Sequence, residues 1–378
     1  MPGLSISQAI EAAKHPNLLE SPAQLEEAAR CWSRSPVVGI DTEFVRERTY
    51  RADLGLVQVS DGRKAWLWDP LSFDSHEPIR RLLEDPGILK VLHSGSEDLE
   101  VMRYALDALP QPLVDTQIAC AMLGQPLQLA FQGAAKWLFG VEIDKEHTRS
   151  NWLKRPLQPG QLHYAAMDVV LLPMMFAELR KRLEAAGRWS WLEEDVARMQ
   201  CSSELSVDAE EAWLRIGGAS RLDDPGLRTL QALAHWREQT AAARNRARGF
   251  VVSDAGLLEL ARKRPATAAE LGEIGELHPR AQALYGPKLL ELVARTAADR
   301  SPIERVPPLS EAQQRLLKQM RQVVQQRARA LGVDPALLAS RRELEKLVRA
   351  GAAQSPIPER FRGWRRAIIT DELLAIMG

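Results

Sequence analysis

Val37-Val38-Gly39-Ile40-Asp41-Thr42-Glu43-Phe44 runs from apolar residues straight into two carboxylates. The run reads as a strand, and on a strand Asp41 and Glu43, two residues apart, share one face. Two like charges on one face repel. The pair therefore belongs either at a solvated sheet edge or around a cation that offsets the repulsion and the desolvation of the charges. Taken by itself the stretch fits both readings.

Outward from it, residues 55–61 and 64–69 read as two further strands joined through Asp61-Gly62, a hairpin signal. Strand-like runs follow at 89–93 and 112–116. The first of these breaks into Ser94-Gly95-Ser96 and then the helical pattern Leu99, Met102, Leu106. That places Ser96 as an N-cap and Asp98 in the first helical turn, where the helix dipole favours a negative charge. A helix-start role alone would account for Asp98. Later the pattern is helical almost to the end, most clearly at 128–139 and 160–186. Within the second of these, Tyr164 and Asp168 stand four apart and share a face. A phenol and a carboxylate one turn apart suit a two-metal hydrolase, the carboxylate completing a metal shell and the hydroxyl orienting water. Strands first and helices interleaved later predict a mixed sheet flanked by helices.

Four short motifs, Asp41-Thr42-Glu43-Phe44-Val45-Arg46, the block from His93 to Glu100, Val114-Asp115-Thr116-Gln117 and the block from Tyr164 to Val169, together resemble the DEDD superfamily of 3′-to-5′ exonucleases. Within it they are similar to the bacterial ribonuclease D family. Their order, separation and placement make the set specific. The resemblance implies an α/β ribonuclease-H-like core over residues 1–205, with the acids gathered at one end of the central strands. It implies catalytic roles for Asp41, Glu43, Asp98, Tyr164 and Asp168, and two divalent metal ions, Mg²⁺ or Mn²⁺. Asp41 would bridge both ions, Glu43 and Asp168 would help hold the one that binds water, and Asp98 would support the other. The implied reaction releases 5′-mononucleotides from the 3′ ends of transfer-RNA precursors and other structured RNA.

The superfamily has a tyrosine branch and a histidine branch, and this chain offers both His163 and Tyr164. On an ideal helix Tyr164 lies about 40° around the axis from Asp168 and His163 about 140° away. Tyr164 is therefore the residue expected to face the metals. A DNA exonuclease is the alternative activity, since these motifs do not read a 2′-hydroxyl. A non-catalytic RNA-binding scaffold would require loss of a metal-binding acid, and all four are present.

With 378 residues and 45% hydrophobic content, the chain is long enough for two or three domains with real cores. No uninterrupted apolar stretch approaches the roughly 18 residues a bilayer span requires, and the N-terminus lacks a signal-peptide pattern. Cys31, Cys120 and Cys201 are an odd, scattered set that suggests neither disulfides nor zinc. A cytoplasmic setting is expected, with RNA as partner, no membrane and no obligate protein partner. The zero net charge hides an asymmetry: residues 211–378 hold 28 Lys plus Arg against 19 Asp plus Glu, a net +9, which leaves −9 on the first 210. An acidic half needs metal before it approaches phosphate, whereas a basic half holds a polyanion directly.

Linkers are marked by Ser202-Ser203 and Gly217-Gly218, and by Ser301-Pro302 to Pro307-Pro308. Between them, residues 215–297 look like the all-α HRDC helical bundle, on Leu230 to Arg237, Phe250 to Asp254 and Tyr285 to Leu290. Residues 308–378 repeat that layout in degenerate form, Asp334 preceding Leu337-Leu338 as Asp254 precedes Leu257-Leu258, with Gly363 standing near the place of Gly286. Candidate RNA contacts are Phe44 by stacking, Arg46, His93, Arg246 and Arg248. Each also has a plain reading as a core aromatic, a loop charge or a solvated helix face.

Overall fold

The computed structural model describes residues 5–143, 150–201, 208–299, 301, 303, 305 and 307–377. Ser202, Ser203 and Pro302, which mark the expected linkers, lie outside the described residues. The chain divides into two compact units, one comprising Met1–Phe44, Leu54–Ser202 and Pro308–Gly378, the other Val45–Asp53 and Ser203–Pro307.

In chain order the first unit opens with α1 (Ile6–Lys14), β1 (Asn17–Leu19), α2 (Pro22–Trp32), β2 (Val37–Val45), β3 (Asp53–Ser60), β4 (Ala65–Trp68), α3 (Glu77–Glu84), β5 (Leu89–Leu92), α4 (Ser96–Leu106) and β6 (Leu113–Asp115). It continues with α5 (Thr116–Met122), α6 (Phe131–Phe139), α7 (Pro159–Val170), α8 (Leu172–Ala185) and α9 (Trp189–Cys201). The six strands form one mixed sheet in the order β1-β4-β3-β2-β5-β6. β3 and β4 are the antiparallel hairpin signalled by Asp61-Gly62, while β1–β4, β2–β5 and β5–β6 run parallel. Interior position explains composition: Val38, Gly39 and Ile40 of β2, and β3 from Leu54 to Ser60, are buried.

Parallel pairing is what builds the site. β2 and β5 align Val37 with Leu89 and Gly39 with Val91, so both strands end at the same edge of the sheet. Beyond that edge β2 delivers Asp41 and Glu43, and β5 delivers the turn into α4.

Two expectations change. Residues 160–186 form two helices, α7 and α8, that break at Leu171, and Pro173, which has no N–H to return to Val169, sits in the first turn of the second. Gly95, not Ser96, is the N-cap of α4, with its N–H bound to Asp115 Oδ2 at 2.8 Å, which leaves Ser96 as the first helical residue. The run Pro159–Ala185 is also long and apolar enough to cross a bilayer by length and composition, but 61% of that window is buried inside the protein.

The second unit is helical, with α10 (Asp224–Ala243), α11 (Arg248–Val251), α12 (Asp254–Lys263), α13 (Ala268–Gly272) and α14 (Pro279–Ala298) around a core that includes Leu230, Leu233, Leu257, Leu260 and Leu289. α15 (Glu311–Leu331), α16 (Pro335–Leu338), α17 (Arg341–Ala352) and α18 (Asp371–Met377) complete the first unit. A long helix, a four-residue helix and a Ser-capped helix follow one another in both segments, so the repeat in layout is present. Its register differs from the sequence reading. Ser340 caps α17 as Ser253 caps α12, whereas Asp334 caps the short α16. Gly286 lies inside α14 and Gly363 outside any helix at φ 62°, so those two glycines are not counterparts.

Candidate active site

Gly39, Asp41 and Glu43 alternate onto one face of β2. A Cβ on Gly39 would meet the Val169 carbonyl at 2.6 Å and the Leu172 Cβ at 2.7 Å, so only glycine lets the end of α7 lie directly on the strand. Asp168 is the residue before Val169. The close approach therefore sets its carboxylate beside the two acids of β2, and one oxygen from each of Asp41, Glu43 and Asp168 falls within 4.8 Å of the others.

Asp98 arrives from the first turn of α4. Its side chain is buried, and its Oδ1 accepts the Thr42 backbone N–H at 3.1 Å together with the Thr42 hydroxyl. Tyr164, one turn before Asp168, hydrogen-bonds the Asp168 carboxylate. His163 points elsewhere, pairing through Nδ1 with the Ala13 carbonyl of α1 at 3.0 Å. The structure thus brings together all five residues singled out in the sequence.

The electrostatics are those of a crowded anionic site. Burial, followed by the charges of Asp98, Asp168 and Glu43, holds the Asp41 carboxyl well above the usual carboxylate range. Burial, with Asp168 and Asp98, pushes Glu43 up to about 9. Asp168 is pushed up to about 7 by burial against the opposing Tyr164 hydrogen bond, and Asp98 to about 6 by burial against its bonds to Thr42. Asp168 Oδ1 is buried without a hydrogen-bond partner among the described residues. Hard carboxylate oxygens, mutual repulsion and an unsatisfied buried acceptor fit divalent cations, which prefer such donors.

Against this geometry the comparisons with known proteins are decisive. A family model described as 3′-5′ exonuclease matches residues 16–184, the HRDC domain model matches 227–293, and the model of the ribonuclease D C-terminal HRDC domain matches 313–373. Ribonuclease D of Pseudomonas paraeruginosa is 38% identical over 359 residues, spanning 93% of this chain and 95% of the relative. The chain belongs to the ribonuclease D family. The family protein of Escherichia coli is 36% identical over 360 residues, spanning 93% of this chain and 94% of its own length. Its crystal structure, described as that of an exoribonuclease involved in structured RNA processing, matches with a TM-score of 0.88 at 33% identity, covering 96% of this chain and 98% of that one. The chain is accordingly a 3′-to-5′ exoribonuclease with a divalent-metal site.

Two of the expected RNA contacts have partners within the protein. Both ring nitrogens of His93 are engaged, Nδ1 with Thr116 Oγ1 and Nε2 with the Leu129 carbonyl, each at 2.8 Å, and Phe131 packs edge-on to the ring. Neither ring nitrogen of His93 is left without a partner. Arg248 is committed within the second unit: Nε and Nη2 reach the Glu238 carboxylate at 2.7 and 2.5 Å, and the guanidinium covers the Tyr50 ring at 4.6 Å. Phe44 is half-buried, Arg46 is exposed, and Arg246 is exposed with its guanidinium 5.8 Å from the Phe250 ring. Thr42 is the functional neighbour that sequence reasoning missed; only its place between the two acids hinted at it.

Proposed function

We propose that this exoribonuclease uses Mg²⁺ to trim the 3′ ends of transfer-RNA precursors and other structured RNA in the cytoplasm, releasing 5′-mononucleotides. The convergence of Asp41, Glu43 and Asp168 on one point, with Asp98 buried beside them, carries this reading. Divalent ions held by these four acids would supply Lewis-acid stabilisation of the entering and departing oxygens of the scissile phosphodiester. Tyr164 orients the attacking water through its hydroxyl. Asp98, tied to Thr42, fixes the end of β2 against α4 so that Asp41 and Glu43 keep their aim. Phe44 offers the terminal base a face that tolerates any nucleotide, and Arg46 and Arg246 serve backbone phosphates without reading sequence. On this reading residues 1–205 are the exonuclease domain and residues 215–297 and 308–378 are HRDC-type helical domains.

Nucleotide release from a 3′-extended transfer RNA, with and without Mg²⁺, tests the proposal. Asp41→Asn and Asp168→Asn are expected to lower kcat by about a hundredfold or more, and His163→Ala to leave it near wild type while Tyr164→Phe lowers it. Near-normal turnover by Asp41→Asn in Mg²⁺-replete buffer would contradict the assignment, and matched RNA and DNA strands decide the sugar preference.

A further inference from the structure

Trp152 lies in the segment leading into α7, and nothing in the reaction described so far uses it. Its indole is buried, 2% exposed, and its ring centroid stands 6.2 Å from that of Tyr164 at a 36° tilt. The residue is seated with unusual care. A Cβ on Gly55 would meet the Trp152 carbonyl oxygen at 2.7 Å and its Cβ at 2.9 Å, so the backbone of β3 abuts Trp152 directly. Arg155 then binds both sides of that contact. Its Nη1 donates to the Trp152 carbonyl at 2.8 Å and its Nη2 to the Gly55 carbonyl at 2.7 Å. The same guanidinium grips Asp69, which follows β4, through Nε at 2.5 Å and Nη2 at 2.6 Å. Asp69 is itself 2% exposed. One planar group with fixed donor directions thus locks a sheet carboxylate, a strand carbonyl and the Trp152 backbone into one arrangement.

We infer that Trp152 is a positioning residue for catalysis: held to the sheet by Arg155 and Asp69, it is the platform that sets the Tyr164 ring. This rests on the reading of Tyr164 as the group that orients water. A phenol on a half-buried helix face has several rotamers open to it, and a rigid aromatic surface behind it narrows them. The hydroxyl then meets Asp168 and the water it serves without reorganising at each turnover. Trp152 Nε1 has no hydrogen-bond partner among the described residues, so Trp152→Phe keeps an aromatic face and breaks no described bond.

The test is a double-mutant cycle read by single-turnover cleavage of a 3′-overhanging RNA oligonucleotide in Mg²⁺-replete buffer, with RNA affinity measured alongside. Trp152→Ala is expected to slow cleavage by about ten- to a hundredfold, with affinity changed by less than about twofold and Trp152→Phe restoring the rate to within about threefold. In a Tyr164→Phe background the same Trp152→Ala change should cost less than about twofold, because its route to the reaction is already gone. Equal losses in both backgrounds, or undiminished cleavage by Trp152→Ala, would overturn the inference. Should Trp152→Ala not fold, Arg155→Lys, which keeps the charge but not the fork, enters the same cycle with the same two outcomes. Undiminished turnover by Tyr164→Phe alone would overturn the Tyr164 assignment and the platform with it, whereas an impaired Tyr164→Phe with uncoupled losses overturns the platform only.

Discussion

Asp98 spends one oxygen on the two polar hydrogens of Thr42, a residue 56 positions earlier whose side chain alternates to the other face of β2 from Asp41 and Glu43. The acids and Tyr164 were legible in the sequence because their spacing is local: two apart on a strand, first turn of a helix, four apart on a helix. Thr42, Trp152 and Arg155 were not, because Thr42 pairs with Asp98, Trp152 abuts Gly55 and Arg155 binds Asp69, each a partner far along the chain that no periodicity reveals. The raised pKa values at this site carry a prediction of their own. An acid whose pKa is higher folded than unfolded keeps its proton longer in the folded protein, so folded stability falls as pH rises from the ordinary carboxylate range through the folded values. With Asp98 at about 6, Asp168 at about 7 and Glu43 at about 9, that window covers neutrality. Without metal, the melting temperature should decline steadily from about pH 5 to about pH 9, and added Mg²⁺ should raise it most at the alkaline end. Asp41→Asn leaves the site one titrating carboxyl fewer, so in chelator its melting temperature should fall less steeply with pH than that of wild type while it turns over almost no substrate. Calorimetry across that pH range checks both slopes, and a variant whose melting temperature falls as steeply as that of wild type would refute the account.

Strands β2 to β6 lie within two residues of the bounds that pattern predicted, because each is a short apolar run closed by turn residues. β1 escaped because three residues, Asn17–Leu19, are too few to show a period. The break between α7 and α8 escaped because apolar periodicity continues across Leu171-Leu172-Pro173, with Pro173 in the first turn of the second helix. That break leaves the Val169 carbonyl and Leu172 packed against Gly39, the contact on which the approach of α7 to β2 depends. Gly39→Ala tests it. The new methyl meets backbone at 2.6 Å, so strand and helix must part by several tenths of an ångström or more. Overpacking of this kind is expected to cost about 1–3 kcal/mol in denaturant unfolding and to lower kcat by at least about tenfold, since Asp168 moves away from Asp41 and Glu43. Wild-type kcat in a folded Gly39→Ala protein would show that the carboxylates tolerate a wider spacing than the geometry suggests.

At the scale of the whole chain, the basic C-terminal half reads in sequence as two appended helical modules, yet residues 308–378 share a compact unit with the sheet. Local pattern could not show this, because the joint is built from contacts between distant segments, among them a buried ion pair and an aromatic stack about 170 residues apart and a bond from Arg188 to the Leu331 carbonyl at 2.6 Å. Arg365, 0% exposed, binds both Asp195 oxygens of α9 at 2.7 Å and gives further donors to the Leu337 and Leu338 carbonyls. Beside it Trp364 stacks on Trp191, ring centroids 4.3 Å apart and 6° from parallel, and donates through its indole to Asp195. A guanidinium satisfied this fully adds cohesion only while its partner stays; removing one member leaves the other buried with fewer counter-charges. Cutting the chain after residue 205 to obtain a catalytic domain therefore strips α9 of Trp364 and Arg365, and any loss of activity in such a fragment would mix substrate binding with stability. Arg365→Met separates the two. It should lower stability by about 3 kcal/mol, a fall of roughly 5–10 °C in melting temperature for a unit of this size, tempered by Arg198, which still reaches Asp195 at 2.7 Å. Adding Asp195→Leu should recover part of the loss, because the stranded charge is gone. Cleavage of a short oligonucleotide by the single variant, well below its melting temperature, should stay within about twofold of wild type, since stability rather than the active site is what Arg365 supplies. A single variant that melts with wild type would mean the helices beyond residue 308 are held by the remaining contacts, the Trp191–Trp364 stack and the bonds Trp364–Glu194 and Arg188–Leu331 among them.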